Sequence, residues 1–442
     1  MGSWQELRKN LLKEYYPSEK EIDRVSQVYS RVSGRIEELS DLDTELVGSS
    51  SRNTFVSGLG DIDIFLMFPH EVESSKLEEE GVRVGKEVFE SFGAEHHVEY
   101  SEHPYVQGRL DGVDVEVVPC HDVEKGRVKS SVDRSPHHAR WMRDNLTEQQ
   151  REDVVLLKQM LDSAGLYGSS LKTRGFSGYL CELLVHHYGG LRSLLQNSRD
   201  WSRNMRVDPA EVDTGHEFES GFVVIDPVDP ERNVAAVLSE DNLARFMLLA
   251  SDFETDPSIR FFEEPDRQPD RLAVKKEIER RREVLALELD VPDKPEDVLY
   301  PQMRRLQSKL VSTLEDEDFR VFESGFHLNE KARLVVEVDP GRTGVENQRG
   351  PSVFHDSDHV EAFRNTHDDL YVEDARLMAR RGRELTDVRQ VIKEFTESDS
   401  NGVPDGLDSR LRRMCFVDPK SGGEDWFKFL EELFHLENRW EK

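Results

Sequence analysis

The chain has 442 residues, and 90 Asp and Glu against 59 Lys and Arg give it a formal net charge of −31. This length predicts roughly two to four domains. It lacks an apolar run of the ~18 residues that a membrane-spanning helix needs, and its charged start has no signal-peptide core. Its three cysteines are too dispersed for a zinc motif or a disulfide framework. We therefore expect a cytoplasmic protein with no membrane contact.

The acidic residues are spread over every segment, and 18 lysines stand against 41 arginines. Such a charge ordinarily weakens binding to nucleic acid, because phosphates attract cations. In molar salt, however, the Debye length falls to ~3 Å and self-repulsion is screened. We interpret the acidity as adaptation to a salty cytoplasm, with a functional acidic surface as the alternative. Charge alone does not exclude an RNA partner.

The first elements follow from hydrophobic spacing and turn residues. Apolar residues at helical spacing, such as Leu7 and Leu11, predict helices over 1–45. The run TELVGSSSRNTFVSGLGDIDIFLMFP then predicts a strand, a glycine turn, a short helix, a polar loop and a second strand ending at Pro69. A helix is predicted over 75–92, and the alternating VDVEVVP predicts a third strand over 113–119.

From about residue 138 the patterns turn helical, and EPDRQPDRL at 264–272 has the composition of a linker. The string VDPGRTGVENQRGPSVFHDSDH predicts a long polar loop. The fold class is α+β multidomain, with a small mixed or antiparallel sheet and its helices, a helical middle domain and an α/β tail. The predicted elements after 138 are a helix near 239–251, charged helices over 273–286 and 301–315, strands near 318–326 and 332–338, and further helices late in the chain.

Two acids interrupt the second predicted strand. Side chains alternate along a strand, so Asp61 and Asp63 share one face while Ile62 and Ile64 take the other. Neighbouring carboxylates repel unless a positive charge lies between them. A divalent cation bound by carboxylate and phosphate oxygens is the usual reason for such a pair. A solvated edge strand is the alternative for these two acids taken alone.

Two further pieces accompany this pair. Gly48 and Ser49 lie between a strand and a predicted helix, where free amides favour an anion, and Arg52 could add a forked contact to phosphate. Taken alone, such a turn is more often a structural cap. The third strand places Asp114 and Glu116 on one face, which alone favours a solvated surface. A chance occurrence of all three pieces in this order, the glycine-serine turn, the Asp-x-Asp strand and the acid-bearing strand, is improbable.

The order of these pieces resembles the DNA polymerase beta superfamily of nucleotidyltransferases. Longer shared words make the chain similar to the archaeal, class I CCA-adding enzymes, which complete the 3′ end of transfer RNA. The similarity is dense over about 46–250 and thin afterwards. The words that carry it are GSSSRNTF, DIDIFLMFP, EHPYVQG, VDVEVVPC, SVDRSP, LLKQMLDSAGLYG, KTRGFSGYLCELLV and DPVDPERNVAA.

The resemblance implies that Asp61, Asp63 and Glu116 hold two Mg²⁺ ions and are the catalytic acids. The frequent family pattern has glutamate in the first place and aspartate in the third, whereas this chain has the reverse. Each exchange keeps the charge and moves it by one methylene. Asp114, on the same face, is the alternative third ligand.

The resemblance also implies a nucleotide site for CTP and ATP. The residues it assigns to the nucleotide are Gly48, Ser49, Arg52, His138, Lys158, Tyr167 and Arg232, with backbone near Glu102 and His103 helping to select the base. A fixed guanidinium that faces the acceptor of cytosine or adenine would refuse uracil and guanine. On sequence alone, Lys158 is either an exposed helix residue or a functional one, since the chain is poor in lysine and leucines precede this position, His138 and Tyr167 are packing residues, and Arg232 pairs with Asp229.

The implied partner is tRNA, held at its acceptor stem and elbow. The resemblance gives a catalytic domain over 1–140, a helical substrate-binding domain over 141–265 and a tRNA-binding body and tail over 266–442. Arginine clusters at 280–282, 304–305 and 376–385 are candidate RNA contacts, or salt-bridged helix faces. The alternatives to CCA addition are a poly(A) polymerase, an oligoadenylate synthase or a non-catalytic RNA-binding relative. The oligomeric state is not fixed by the sequence, and a homodimer is one expectation.

Overall fold

A computed structural model describes the chain in ten stretches, which divide into two compact units on either side of residues 265–267. The described residues are 4–100, 103–124, 128–212, 215–218, 221–264, 268–340, 344–354, 357–382, 386–398 and 407–436. Both units mix helices and sheets, as the fold class predicts. No helix among these residues is both long enough and apolar enough to cross a membrane.

The first unit combines one five-stranded sheet with a set of packed helices. Its elements in chain order are α1 (Trp4–Tyr15), α2 (Glu19–Leu39), β1 (Asp43–Val47), β2 (Asp61–Pro69), α3 (Ser74–Ser91), β3 (His96–Tyr100), β4 (Pro104–Leu110), β5 (Val113–Asp122), α4 (Ser135–Asn145), α5 (Glu148–Ser163), α6 (Gly178–Tyr188), α7 (Leu191–Ser198), β6 (Met205–Val207), β7 (Phe222–Val224) and α8 (Glu240–Thr255). Short 3₁₀ turns lie at Ser50–Arg52, Val132–Arg134 and Ile259–Phe262.

Local sequence fixes where the long helices begin. Ser18 and Glu21 form a reciprocal capping box at the start of α2, and Thr147 and Gln150 do the same at α5. Each box satisfies two backbone amides that the first helical turn leaves unpaired. These two helices therefore start at defined residues.

The five strands are ordered β1-β2-β5-β4-β3, with β2 and β5 parallel and the other neighbours antiparallel. The sheet buries Ile62 and Ile64 on β2 and Val115 and Val117 on β5 against α2 and α3. The acids Asp61, Asp63 and Glu116 lie on the opposite face, as alternation requires, and further along the strands this face buries Phe65, Met67 and Cys120 against α4. The parallel register sets Asp61 beside Asp114 and Asp63 beside Glu116.

A second core holds the helices of this unit together. It buries apolar residues of α5, α6, α7 and α8, together with Phe176 and the 3₁₀ turn at Ile259–Phe262. The strands β6 and β7 form a small parallel pair beside it. The helical region predicted from residue 138 is confirmed. A domain division of this unit at residue 140 remains a prediction.

The second unit contains two antiparallel sheets, ordered β14-β8-β10-β9 and β11-β13-β12. The four-stranded sheet is covered by α10 and α12 on one face and by α9 and α14 on the other. The elements are α9 (Arg271–Arg280), β8 (Glu283–Asp290), α10 (Glu296–Asp316), β9 (Val321–Leu328), β10 (Lys331–Val338), β11 (Val345–Ser352), α11 (Ser357–Thr366), β12 (Asp369–Glu373), β13 (Arg376–Gly382), α12 (Val388–Glu397), α13 (Asp408–Leu411), β14 (Cys415–Val417) and α14 (Glu424–Leu433).

Two sequence predictions of secondary structure are wrong, and one further element is missing from them. The helix predicted over 273–286 ends at Arg280, because the next residues form β8, which is apolar on both faces and so lacks strict alternation. The predicted polar loop contains β11, a polar edge strand paired with β13. The hairpin of β3 and β4 was not predicted, because its edge strand is only partly buried.

Candidate functional site

The glycine-serine turn lies at the end of β1 and continues into a single 3₁₀ turn. Gly48 has a φ of 68°, a region that favours glycine, and its carbonyl accepts a hydrogen bond from Ser51 Oγ at 2.9 Å. Ser50 Oγ bonds to the carbonyl of Asp61 and so ties the turn to β2. The short predicted helix is therefore a single 3₁₀ turn. Any attraction for an anion comes from the backbone amides of the turn and not from the dipole of a long helix.

The catalytic acids predicted from the sequence lie on one face of two parallel strands. Burial raises the pKa of Asp63 to about 7, helped by the charges of Asp61 and Glu116 and opposed by Arg52. Burial and the charges of Asp61 and Glu99 likewise raise the pKa of Glu116 to about 7. Both shifts mean that burial, and then the charge of the neighbouring acids, disfavours the ionised form of these two carboxyl groups.

Asp114, the alternative third acid, has a different environment. It is exposed and lies 3.5 Å from Arg109 Nε, and in the sheet it stands beside Asp61. Glu116 stands beside Asp63 and contributes to the pKa shift of that residue. Within the described part of the chain, no three His, Cys, Asp or Glu side chains are grouped closely enough to hold a metal ion. An ion bound here would have to draw the carboxylates together.

A cleft of about 260 Å³ opens beside these acids. Eight of the ten predicted site residues line it, whereas Glu116 and Arg232 do not. The eight are Gly48, Ser49, Arg52, Asp61, Asp63, His138, Lys158 and Tyr167. The structure thus brings together residues from the turn after β1, from β2, α4 and α5, and from the segment after α5.

Behind the turn lies a buried group of charges that sequence reasoning missed. Glu182 on α6 is 1% exposed and accepts hydrogen bonds from Thr54 Oγ1 at 2.6 Å and Arg52 Nε at 3.2 Å. Its second oxygen, Oε2, lies 3.0 Å from Arg52 Nη2. The fork of Arg52 is therefore engaged by a carboxylate, and the phosphate contact assigned to it remains a prediction.

Lys158 belongs to the same buried group. It is 3% exposed and its Nζ donates to the carbonyl of Thr54 at 2.8 Å. Burial lowers its pKa, while the nearby Glu182 carboxylate acts in the opposite direction. The reading of Lys158 as an exposed helix residue is therefore wrong.

Tyr167 and Gly178 complete this wall of the cleft. Tyr167 forms an isolated parallel β-bridge with Phe176. Burial raises the pKa of the Tyr167 hydroxyl. A Cβ on Gly178 would lie 3.2 Å from the Tyr167 hydroxyl and 3.4 Å from Lys158 Nζ. The absence of a side chain at Gly178 therefore leaves both polar groups room at the cleft.

His138 and Arg232 meet at a second missed residue, Asp226. Its buried carboxylate lies 2.8 Å from His138 Nε2 and accepts from Arg232 Nη1 at 2.9 Å, the Tyr179 hydroxyl at 3.2 Å and the Val228 amide at 2.9 Å. Burial acts to raise the pKa of Asp226, but these donors lower it to about 2. Burial lowers the pKa of His138, with the bond to Asp226 opposing.

The partner proposed for Arg232 from sequence alone was wrong. Asp229 lies 3.1 Å from Arg134 Nη1, and Arg232 pairs with Asp226 instead. His103 Nδ1 lies 3.0 Å from Glu78 Oε1, whereas Glu102 lies outside the described residues. A signal for Asp226 was present in the double Asp-Pro of DPVDP. Glu182, inside the apolar LCELL, carried the signal of a charge flanked by leucines.

The candidate RNA-binding arginines at 280–282 are engaged with acidic neighbours in the second unit. Arg281 pairs with Glu337 and Arg282 with Asp339, both at 2.6 Å, and Arg280 lies 3.6 Å from Glu277. The cluster at 376–385 lies on strand β13 up to residue 382 and not on a helix, and 383–385 are outside the described residues. These pairs favour the salt-bridged interpretation for 280–282.

Family models match three successive parts of the chain. Residues 29–138 match a nucleotidyltransferase domain, 152–263 match the second domain of tRNA nucleotidyltransferase, and 280–415 match the C-terminal domain of CCA-adding enzyme. The first match contains the glycine-serine turn and the acid-bearing strands, and the second contains Lys158, Glu182 and Asp226.

Full-length relatives agree with these matches. The chain is 34% identical to the CCA-adding enzyme of Methanothermobacter thermautotrophicus, with 98% of both chains covered. It is 37% identical to that of Archaeoglobus fulgidus over 96% of both chains, and 38% identical to that of Halorubrum lacusprofundi over 87% of both. The family inferred from the sequence is confirmed. The chain belongs to the archaeal CCA-adding enzymes, a family of tRNA nucleotidyltransferases.

Proposed function

We propose that this enzyme adds C, C and A to the 3′ end of tRNA from CTP and ATP, without a nucleic-acid template and with release of pyrophosphate. The observation that carries the proposal is the parallel pairing of Asp63 with Glu116 beside a cleft lined by Ser49, Lys158 and Tyr167. Carboxylates for metal ions, amides for phosphate and a buried cation are the groups that nucleotidyl transfer requires.

We assign Asp61, Asp63 and Glu116 to two Mg²⁺ ions. Hard carboxylate oxygens suit this cation. Burial and then neighbouring acids raise the pKa of Asp63 and Glu116, and a bound cation would stabilise their ionised form. When bound, such ions lower the pKa of an attacking hydroxyl and neutralise a departing pyrophosphate. Glu116 is preferred to Asp114 because it stands beside Asp63 and Asp114 pairs with Arg109.

The remaining cleft residues would hold the nucleoside triphosphate. Amides of the turn at Gly48 and Ser49 suit phosphate oxygens, and Lys158 supplies a cation whose flexible stem lets it turn from the Thr54 carbonyl towards a phosphate. Tyr167 lines the same wall. Arg52 would contribute its charge from behind the turn, since Glu182 engages its fork.

Base selection is assigned to Arg232, with His138 and the backbone near His103. The bases C and A present an exocyclic amino donor next to a ring acceptor, whereas U and G present these groups in the reverse sense. A guanidinium anchored at one nitrogen offers its other donors in a fixed direction. A wrong base would leave these donors unpaired in a confined site, which costs about 1–3 kcal/mol per group.

We assign recognition of tRNA to shape and backbone, because every tRNA has to be accepted. The C-terminal part would contact the elbow while the cleft receives the acceptor end. A homodimer and a cytoplasmic location complete this proposal, and each is open to a direct test by light scattering of the purified enzyme and by cell fractionation.

The decisive assay supplies tRNA that ends at the discriminator base, together with CTP and ATP. We expect the product to grow by C, C and A and then stop. Growth by adenine only, or well beyond three nucleotides, would identify a poly(A) polymerase or an oligoadenylate synthase instead. Sequencing gels with each nucleotide omitted in turn distinguish these outcomes.

Single substitutions separate catalysis from RNA binding. We expect Asp63→Ala to abolish incorporation while tRNA binding in gel shifts persists, whereas Asp114→Asn, a neighbouring acid on the same face, keeps most activity. If Asp63→Ala still incorporates nucleotides, the assigned metal role is wrong. If the wild type binds tRNA but incorporates nothing, the non-catalytic alternative is correct.

A further inference from the structure

Asp226 follows β7 and is 0% exposed. Its Oδ2 lies 2.9 Å from Arg232 Nη1 and 2.8 Å from His138 Nε2, while Oδ1 accepts from Tyr179 and from the Val228 amide. A buried carboxylate with four donors is fully satisfied and therefore held in one orientation.

The donors come from separate parts of the first unit. His138 lies on α4 and Tyr179 on α6, and their rings stack at 4.1 Å with an interplanar angle of 26°. Both rings line the same cleft as Asp61 and Asp63. Asp226 thus lies behind the cleft wall and joins it to the turn that carries Arg232.

The guanidinium of Arg232 is anchored through its Nη1 nitrogen. Its side chain remains 35% exposed while Nη1 is held by Asp226. A long side chain in solvent samples many rotamers, and fixing it before a ligand arrives removes much of that entropic cost. The same carboxylate fixes His138, because a neutral imidazole that donates from Nε2 keeps Nδ1 as an acceptor.

We infer that Asp226 is a positioning residue for base selection, which holds Arg232 and His138 in the orientation that accepts C and A and refuses U and G. This inference rests on the proposed function. Asp226 does not itself line the cleft, so it acts through the two side chains that it holds. Its low pKa keeps it ionised at neutral pH.

If Asp226 only stabilised the fold, its loss would have a different effect from the loss of a positioning residue. The loss of a stabilising residue would lower the addition of every nucleotide by the same factor, because the concentration of folded enzyme falls. A positioning role changes the ratio between nucleotides, since a mobile guanidinium no longer penalises the wrong base. The ratio of kcat/KM for CTP to that for UTP therefore separates the two roles.

The test compares Asp226→Asn with Asp229→Asn in the wild-type background, using tRNA that lacks CCA. Asparagine keeps the shape of the aspartate side chain but turns an amide donor towards Arg232 or His138. Asp229 is the control, because it lies in the same turn and pairs with Arg134. We expect Asp226→Asn to lower the CTP to UTP ratio by about tenfold, in line with coupling between contacting residues, and Asp229→Asn to leave it unchanged. We also expect Arg232→Ala combined with Asp226→Asn to lower the ratio no further than Arg232→Ala alone.

An unchanged ratio in folded Asp226→Asn, or an equal loss with both nucleotides, overturns the inference. Thermal melting establishes that the variant is folded. If it is not, Tyr179→Phe decides, because it removes one donor and leaves the carboxylate bonded to Arg232, His138 and the Val228 amide. A ratio lowered about two- to fivefold supports the inference, and an unchanged ratio refutes it. Failure of the proposed function is distinguishable, because the wild type would then add no cytidine at all.

Discussion

Replacing Gly48 by alanine tests whether the turn and Asp63 form one site. Gly48 has a φ of 68°, and an ideal Cβ there would lie 3.0 Å from Asp63 Cγ and closer still to Oδ2. The left-handed backbone costs an L-residue about 1–2 kcal/mol, partly offset by a less flexible unfolded chain. The Asp63 side chain also has to rotate away, which changes stability little but displaces a proposed metal ligand.

We therefore expect Gly48→Ala to lose about 1 kcal/mol of unfolding free energy and about 100-fold in nucleotide incorporation, as misplacement by ~1 Å often does. Gly58→Ala is the matched control, because Gly58 has a φ of 81° and no atom within 4 Å of its ideal Cβ. The assay measures urea unfolding and cytidine addition for both variants. If Gly48→Ala is as active as Gly58→Ala, Asp63 does not need its present orientation and the site assignment is refuted.

Glu182→Gln leaves the buried cations Arg52 and Lys158 without their counter-charge, so we expect denaturant titrations to show a loss of about 3–5 kcal/mol. Glu38→Gln, in an exposed ion pair, should change stability by less than ~1 kcal/mol, and equal losses would contradict the reasoning. The pKa of Asp226 falls from 3.8 to about 2 on folding, so its contribution of about 2 kcal/mol is present above pH ~4 and is lost as the pH falls towards about 2. The stability difference between wild type and Asp226→Asn, measured by melting across this range, should shrink accordingly; a constant difference would exclude the ion pair as its source. With a net charge of −31, the protein should melt at a higher temperature in about 2 M KCl than in about 0.1 M, and equal melting temperatures would remove the salt-adaptation hypothesis.

The parts of the fold that local pattern determines were predictable. Alternation gave β2 and β5, since one face of each is apolar and buried, and helical spacing gave α2 and α5. The strand β8 was mistaken for a continuation of α9, because it is buried on both faces and shows no alternation. The edge strands β3 and β11 have weak apolar patterns, and only their partners fix them as strands.

In the candidate site, too, some residues were predictable from local pattern and others were not. A pair of acids one residue apart shares a strand face by geometry alone, so Asp61 and Asp63 were accessible to sequence reasoning. Glu182 and Asp226 carried only weak local signals, because a buried acid is recognised by the donors that surround it. Arg52 and Thr54 lie far from Glu182 in the sequence, as His138 and Tyr179 do from Asp226. Arg52 shows the same limit, since the carboxylate that engages it lies 130 positions further along the chain.

The strand β5 is the last strand of the five-stranded sheet in sequence, yet it lies between β2 and β4. In the folded sheet, β5 is the strand that joins the pair of β1 and β2 to the pair of β3 and β4. The insertion of β5 that closes the sheet also brings Glu116 to Asp63. A chain still emerging from the ribosome therefore cannot bring these carboxylates together before β5 has docked. Amide exchange in β5 should report the local opening of the sheet that also separates Glu116 from Asp63.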